Sequence, residues 1–199
     1  MELAAALRQR RMVRAFRPDP VAPDALDRIL DSARYAPSAG FTQGLDLVVL
    51  VGAADTARYW DVTLPAPRRA TFPWPGLLAA PVLVVPCVRA EAYVERYSES
   101  DKARTGLGAG VEAWSVPYWF VDAGMATLAM LLRAVDEGLG ACFFGIFEHE
   151  PAVRATLAIP DSHRPIGTVA IGHAAPDRPS RSVARGRRPL ADIVHRGGW

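Results

Sequence analysis

Lysine is almost missing from this chain: Lys102 is the only one, and every other basic side chain is arginine. Cysteine is nearly as scarce. Cys87 and Cys142 each sit inside an apolar run, with no C-x-x-C and no Cys/His spacing, which argues against a zinc site and for two small buried hydrophobes. Excess charge of one sign is absent too. The formal net charge is +2, too balanced for nucleic-acid binding by composition. No apolar run reaches bilayer length; the longest, 76–88, is short and holds Pro81 and Pro86. Glu2 comes early and no sustained apolar stretch follows it, so no signal peptide is expected. The expectation is a soluble cytoplasmic protein that partners neither nucleic acid nor membrane. Internal repeats and dividing linkers are absent as well, so 199 residues read as one domain, 1–199. No triad and no carboxylate pair stands out. His149, His163, His173 and His195 are scattered and read as non-catalytic.

What is present is an ordinary globular composition, 50% apolar and 22% charged. Leu3, Ala6 and Leu7 recur at helical spacing, so residues 2–10 predict a first helix. Pro18 and Pro20 stop it, and Pro23 opens a second with Leu26, Ile29, Leu30 and Ala33 on one face. Residues 47–51 and 81–88 read as buried strands, residues 52–76 as a long loop with Arg68, Arg69 and Trp74, and residues 90–98 as a short helix. Residues 99–110 are expected to be mobile. Residues 118–137 predict the longest helix, apolar nearly all round, with Val121, Met125, Leu128, Leu132 and Val135 in one stripe; Asp122 inside it demands a partner. Residues 141–144 and 166–172 read as further buried strands, with a short helix over 151–157 between them. Trp114, Tyr118, Trp119 and Phe120 form a cluster that reads as core first and as a pocket wall or lid second. The loose alternation suggests one three-layer domain around a central sheet.

Three stretches carry chemistry. Arg10-Arg11-Met12-Val13-Arg14-Ala15-Phe16-Arg17 interleaves four arginines with apolar residues. A groove that holds a multiply charged anion against an apolar wall needs that pattern, because the guanidinium fork bonds phosphate bidentately. A basic surface segment after a short helix would look similar. The loop Ala36-Pro37-Ser38-Ala39-Gly40-Phe41-Thr42-Gln43-Gly44 is either a plain connector or a place where backbone approaches a flat ligand, with Ser38 and Gln43 as polar contacts. The tail 176–199 is rich in arginine until Leu190, Ile193 and Val194, which are too apolar for a free end.

Taken together, these pieces resemble the FMN-dependent nitroreductase family, an oxidoreductase family of homodimers. The resemblance covers about residues 7–195 and rests on order and spacing, since no single motif is specific. Arg10 to Phe16 is similar to the opening motif that holds FMN. Ala36 to Gln43 is similar to the loop under the flavin. Gly138-Leu139-Gly140 and Phe144-Gly145-Ile146-Phe147 are similar to the stretch beside the flavin N5 edge, and Arg185-Gly186-Arg187-Arg188-Pro189-Leu190 to the basic motif that closes on the phosphate. The resemblance implies an α+β, three-layer α/β/α fold with a central mixed, largely antiparallel sheet. It also implies a homodimer in which residues 176–199 form an arm packed on the partner subunit. It assigns cofactor binding to Arg10, Arg11, Met12, Arg14, Pro37, Ser38, Ala39, Phe41, Gln43, Phe144, Gly145, Arg185 and Arg187, and no catalytic side chain, because the chemistry belongs to flavin N5. The cofactors are then FMN, with NADH or NADPH as donor, and the partner is a small nitro, quinone or other conjugated acceptor. Dehalogenation or oxygen-dependent flavin chemistry, a non-enzymatic flavin-sequestering protein and a deazaflavin binder share the same pattern. Family members often carry serine where Met12 stands, asparagine where Phe41 stands, Pro-Trp where Gly44-Leu45 stands, and a lysine or asparagine before the second strand, which Pro73 to Leu78 do not supply.

Overall fold

The computed structural model describes every residue except Pro179, and for Arg181 it describes the main chain only. Helix α1 (Leu3–Gln9) is followed by an extended stretch and by α2 (Pro23–Ser32), whose first turn carries Pro23 and Asp24. Strand β1 (Leu45–Val51) leads into α3 (Gly52–Thr63) and the single turn α4 (Ala66–Arg69). Strand β2 (Val82–Val88) leads into α5 (Ala90–Tyr97), and after several 3-10 turns comes α6 (Tyr118–Asp136). Strand β3 (Gly140–Phe144), α7 (Glu150–Thr156), the short β4 (Arg164–Pro165) and β5 (Thr168–Gly172) complete the body.

The sheet order is β1-β2-β5-β3, with β4 beside β2, and every pairing of named strands is antiparallel. One parallel bridge, Met12 to Ala141, makes the sheet mixed. Alternate residues of the central strands point to opposite faces, as the pleat requires. Val82, Val84, Val169 and Ile171 pack with Leu26, Ile29, Ala126 and Met130 from α2 and α6. Leu83, Val85, Cys87 and Ala170 pack with Tyr59, Trp60 and Val153 from α3 and α7. The result is the expected three-layer α+β arrangement, with β2 buried along its whole length.

Four sequence expectations need correction. Residues 52–76 are not a long loop: α3 occupies half of them. Its buried face is a narrow one of Thr56, Tyr59 and Trp60, so it leaves little hydrophobic periodicity to read. β1 is an edge strand in which only Leu50 is buried, rather than a buried strand. The segment 99–110, for which no element was expected, carries 3-10 turns, and the Trp114 Nε1–H donates to the Leu107 carbonyl there at 3.0 Å. The fourth concerns α6. The stripe of large residues faces outward, with Val121, Met125 and Leu128 exposed, while Ala123, Ala126, Met130 and Ala134 face the sheet. The alanines let the helix lie close to the strands, and Met130 and Leu131 fill the space beside them. This helix alone, among the described residues, is long and apolar enough to cross a membrane, and it packs here as part of the core.

Trp114 and Trp119 settle as core. They surround Tyr93 at ring separations of 5.8 and 6.0 Å and pack with Val88 and Ala123, while Tyr118 and Phe120 stay exposed. The tail beyond Arg178 forms 3-10 turns at Arg181–Arg185 and Leu190–Asp192, and Leu190, Ile193 and Val194 are exposed along it.

Candidate active site

The segment Arg10–Arg17 leaves α1 and runs along the outer edge of β3. The Val13 N–H donates to the Ala141 carbonyl at 3.0 Å, and the Phe143 N–H reaches the Met12 sulfur at 3.4 Å. Val13 and Phe16 sink into the core. The apolar residues of this motif are therefore anchors for the strand edge, not a wall facing an anion. They fix the backbone and leave the arginines over. Met12, expected to touch a cofactor, has its sulfur engaged by the main chain of β3. Among the described residues, the guanidinium groups of Arg10 and Arg11 have no hydrogen-bond or ion-pair partner. Arg14 is held: its backbone N–H donates to Asp177 Oδ2 at 2.8 Å, and its guanidinium carbon lies 5.1 Å from the centre of the Trp74 ring.

Arg14 reaches a cavity of about 320 Å³ with Trp60, Trp74, Phe144, Gly145 and Phe147 along its lining. This volume lies in the usual range for a small-molecule site. The Phe144 ring turns inward, stacked on Trp60 at 5.8 Å and 9° and edge-on to Tyr59 at 6.4 Å. Burial pushes the Tyr59 phenol up to about 12, so it stays neutral, and it accepts a hydrogen bond from the Thr168 hydroxyl at 2.9 Å. With Phe144 drawn into the core and Gly145 lacking a side chain, main chain lines this end of the cavity. A Cβ on Gly145 would come within 2.7 Å of the Phe147 ring, so the glycine permits that ring to lie across the turn. Among the described residues, the Gly145 N–H donates to no turn or loop acceptor. Phe147 is itself exposed and holds φ at 51°, a costly conformation for a bulky residue and one that clusters at functional sites.

The second group of expected site residues lies elsewhere. Pro37, Ser38 and Gln43 line a separate cavity of about 160 Å³ with Leu45, Tyr93, Asp122 and Ala126, on the α2/α6 side of the sheet. The loop is tightly held. Ser38 Oγ accepts from the Gln43 N–H at 3.0 Å, and the Thr42 hydroxyl donates to the Ala39 carbonyl at 2.6 Å. Phe41 (φ 58°) and Gln43 (φ 55°) are both left-handed, and Phe41 is fully turned out to solvent. The partner that Asp122 requires is this loop: its Oδ2 accepts from the Ala39 N–H and from the Tyr93 hydroxyl, each at 2.8 Å.

Within one chain, then, Arg10, Arg11, Met12, Arg14, Phe144 and Gly145 gather along β3 and the front cavity, while Pro37, Ser38, Ala39, Phe41 and Gln43 form a distinct loop. Arg185 and Arg187 belong to neither. They are exposed on the arm, and among the described residues neither has a hydrogen-bond or ion-pair partner. Beside the front cavity, and sharing Gly145 and Phe147 with it, runs an open groove of about 700 Å³ bounded on its other side by Phe120, Gly124 and Leu128 of α6. Trp74 was visible in the sequence only as part of an expected loop. In the fold it carries two cations, Arg14 and Arg178, the latter 4.9 Å from the ring centre and donating to the Pro73 carbonyl at 2.6 Å. The signal for such a role was the bare coincidence of tryptophan with a chain rich in arginine.

Comparison with known proteins identifies the fold and the family. The FMN reductase [NAD(P)H] of Bacillus subtilis (strain 168) is 28% identical over 198 residues, covering 98% of this chain and 73% of that protein. The crystal structure of a nitroreductase family protein from Clostridium difficile 630 superposes with a TM-score of 0.72 at 20% identity, covering all of both chains. The NfrA1 structure from B. megaterium gives 0.76 at 18% identity, covering 99% of this chain and 74% of that one. These likenesses fix the fold. The Nitroreductase family model matches residues 7–173, most of the sequence, and the chain belongs to the nitroreductase family.

Proposed function

We propose that this chain is an FMN-dependent oxidoreductase that takes hydride from NADH or NADPH and delivers it to a small nitro, quinone or other conjugated acceptor. The observation that carries this reading is the front cavity. It has aromatic walls, one held cation at Arg14, a main-chain end at Gly145, and, on the adjoining segment, Arg10 and Arg11, which have no partner among the described residues. A flat ring with a phosphorylated tail fits that set of groups. Bound FMN supplies the hydride chemistry at its N5 atom, so no protein nucleophile is needed.

The chain's own residues bind, orient and bias. Arg10, with Arg185 and Arg187 brought in by the arm, supplies forked donors for the phosphate. Arg14 would hold the pyrimidine end of the ring, where its positive charge would favour negative charge. The Gly145 N–H would serve as a donor toward N5. The loop from Pro37 to Gln43 would support one ring face and leave the other to donor and acceptor. Within one chain that loop lies on the far side of α6 from the front cavity, and α6 exposes an apolar stripe. Both observations support a homodimer in which the loop of one subunit backs the flavin held by the other, with the arm packed across the boundary. A C2 pairing puts the same patch on both subunits and covers it.

A spectrum tests the reading. Purified protein is expected to be yellow and to bleach when NADH or NADPH is added without oxygen. A yellow protein inert to both donors favours flavin sequestration, a reading to which the engaged Met12 sulfur and the outward Phe41 lend weight. A colourless protein that takes up a deazaflavin but not FMN identifies that relative of the cofactor instead.

A further inference from the structure

Asp122 is a carboxylate nine-tenths buried in an otherwise apolar stretch of α6, and nothing in the chemistry of the front cavity uses it. A polar group so placed persists only when hydrogen bonds compensate its lost hydration. It receives two, from Tyr93 and from the Ala39 main chain. Burial first, then the hydrogen bond and charge of Asp122, push the Tyr93 phenol well above its ordinary range, which keeps it a neutral donor. The loop that Asp122 grips needs gripping. Gly40 (φ 63°), Phe41 and Gln43 all adopt left-handed backbone, and the last two do so with side chains that disfavour it. Arg96 adds a second hold, its Nε donating to the Gly40 carbonyl at 2.9 Å. Tyr97 lies against Gly40 so closely that a Cβ there would stand 2.7 Å from its ring. The loop is therefore shaped from beneath, by α5 and α6, while its outer side stays open.

We propose that Asp122, backed by Tyr93, is a positioning residue that presets the loop Ser38–Gln43 in the conformation that receives the flavin ring. This rests on the reading given under Proposed function. It adds that the loop is formed before the cofactor arrives, so that FMN binding bears no cost of ordering it. The same turn of α6 carries Val121 and Met125 on its outward face. The carboxylate thus ties the loop to the helix that supports the proposed subunit contact, and one rigid element sets the loop's place relative to the partner.

The test uses full-length Asp122→Ala, Asp122→Asn and Tyr93→Phe proteins, with FMN as the probe. Three readouts are taken: the dissociation constant, the visible circular dichroism of the bound flavin, and exchange of the Ala39 amide without flavin. Asp122→Ala should expose the Ala39 amide to exchange, alter the dichroism and weaken FMN binding about tenfold or more. Asp122→Asn keeps an acceptor in place and should recover most of the affinity, and Tyr93→Phe should cost about two- to fivefold. A folded Asp122→Ala protein with wild-type affinity, dichroism and exchange overturns the proposal, as does an Asn variant no better than the Ala variant. Should the alanine protein fail to fold, Tyr93→Phe decides, and unchanged affinity and dichroism there overturn it equally. If the wild-type chain itself takes up no FMN, the functional reading fails, a result distinct from an unaffected variant.

Discussion

Arg187→Ala compared with Arg188→Ala tests the phosphate contact proposed for Arg187, because the two side chains start from different situations. Arg188 donates to the Asp192 carbonyl on its own arm, whereas Arg187 is exposed and unpaired among the described residues. Removing Arg187 breaks nothing inside the chain, so folding stability should move by less than about 0.5 kcal/mol. Both substitutions remove one positive charge from neighbouring positions, and beyond a Debye length of about 8 Å at physiological salt their long-range effects on an anion are equally screened. The difference between them is therefore the short-range contact. A hydrogen bond to a charged group contributes roughly 1.5–3 kcal/mol, or about tenfold to a hundredfold in affinity. Titration of apo-protein with FMN should show that loss for Arg187→Ala and a several-fold smaller one for Arg188→Ala. Riboflavin, which has the ring without the phosphate, serves as the control and should bind both variants like the wild type. Equal and small effects of the two substitutions on FMN, or an equal loss of riboflavin binding, would refute the assignment of Arg187 to the phosphate.

Three further outcomes are expected. Ending the chain after Pro179, a residue outside the described ones, should lower both dimerisation and flavin content; a stable, flavin-loaded truncated dimer in light scattering would contradict the role given to the arm. Steady-state kinetics with NADH or NADPH and menadione should give parallel double-reciprocal lines, because one open ring face admits donor and acceptor in turn, and intersecting lines would rule out the shared pocket. Burial raises the Cys87 thiol from 9.0 to about 12, so above pH 9 the unfolded chain gives up a proton that the folded chain keeps. Stability should then fall between about pH 9 and 12, by up to roughly 4 kcal/mol, and denaturant titrations of Cys87→Ala should show a flatter decline over that window.

The order of elements could be read from the sequence wherever apolar spacing was strong. The run 82–88 is buried on both faces and reads as such, and Pro23 marks the start of α2 without ambiguity. α3 escaped because its buried face consists of a threonine, a tyrosine and a tryptophan, which no apolar period detects. The arginines of residues 10–17 were recognisable as a group, but their apolar neighbours were not. Whether Val13 and Phe16 face a ligand or the core depends on the edge of β3, some 130 residues away in sequence, and local pattern carries no record of it. Met12 illustrates the same limit. Its departure from serine is visible in the sequence, whereas the engagement of its sulfur by the Phe143 N–H belongs to the fold. The stacking of Arg14 and Arg178 on Trp74 is likewise a product of three separate segments meeting.

α6 shows how one helix answers several demands that the sequence presents as a single apolar run. Its small residues lie on the sheet, where close approach matters more than area. Its large ones, Val121, Met125 and Leu128, face outward, where covering each would contribute up to about 1.5–3 kcal/mol. Met130 and Leu131 are buried beside the alanines, so the outward residues are apolar area beyond what the sheet covers, and the proposed homodimer would cover it. Asp122 falls between these faces and points at neither, toward the loop of Ser38 to Gln43. Asp122, which the sequence showed only as an acid needing a partner, is therefore the residue that ties α6 to this loop. The helix that holds the loop is also the one whose outward apolar face the proposed homodimer would cover, so a single substitution at Asp122 tests the loop without touching that face.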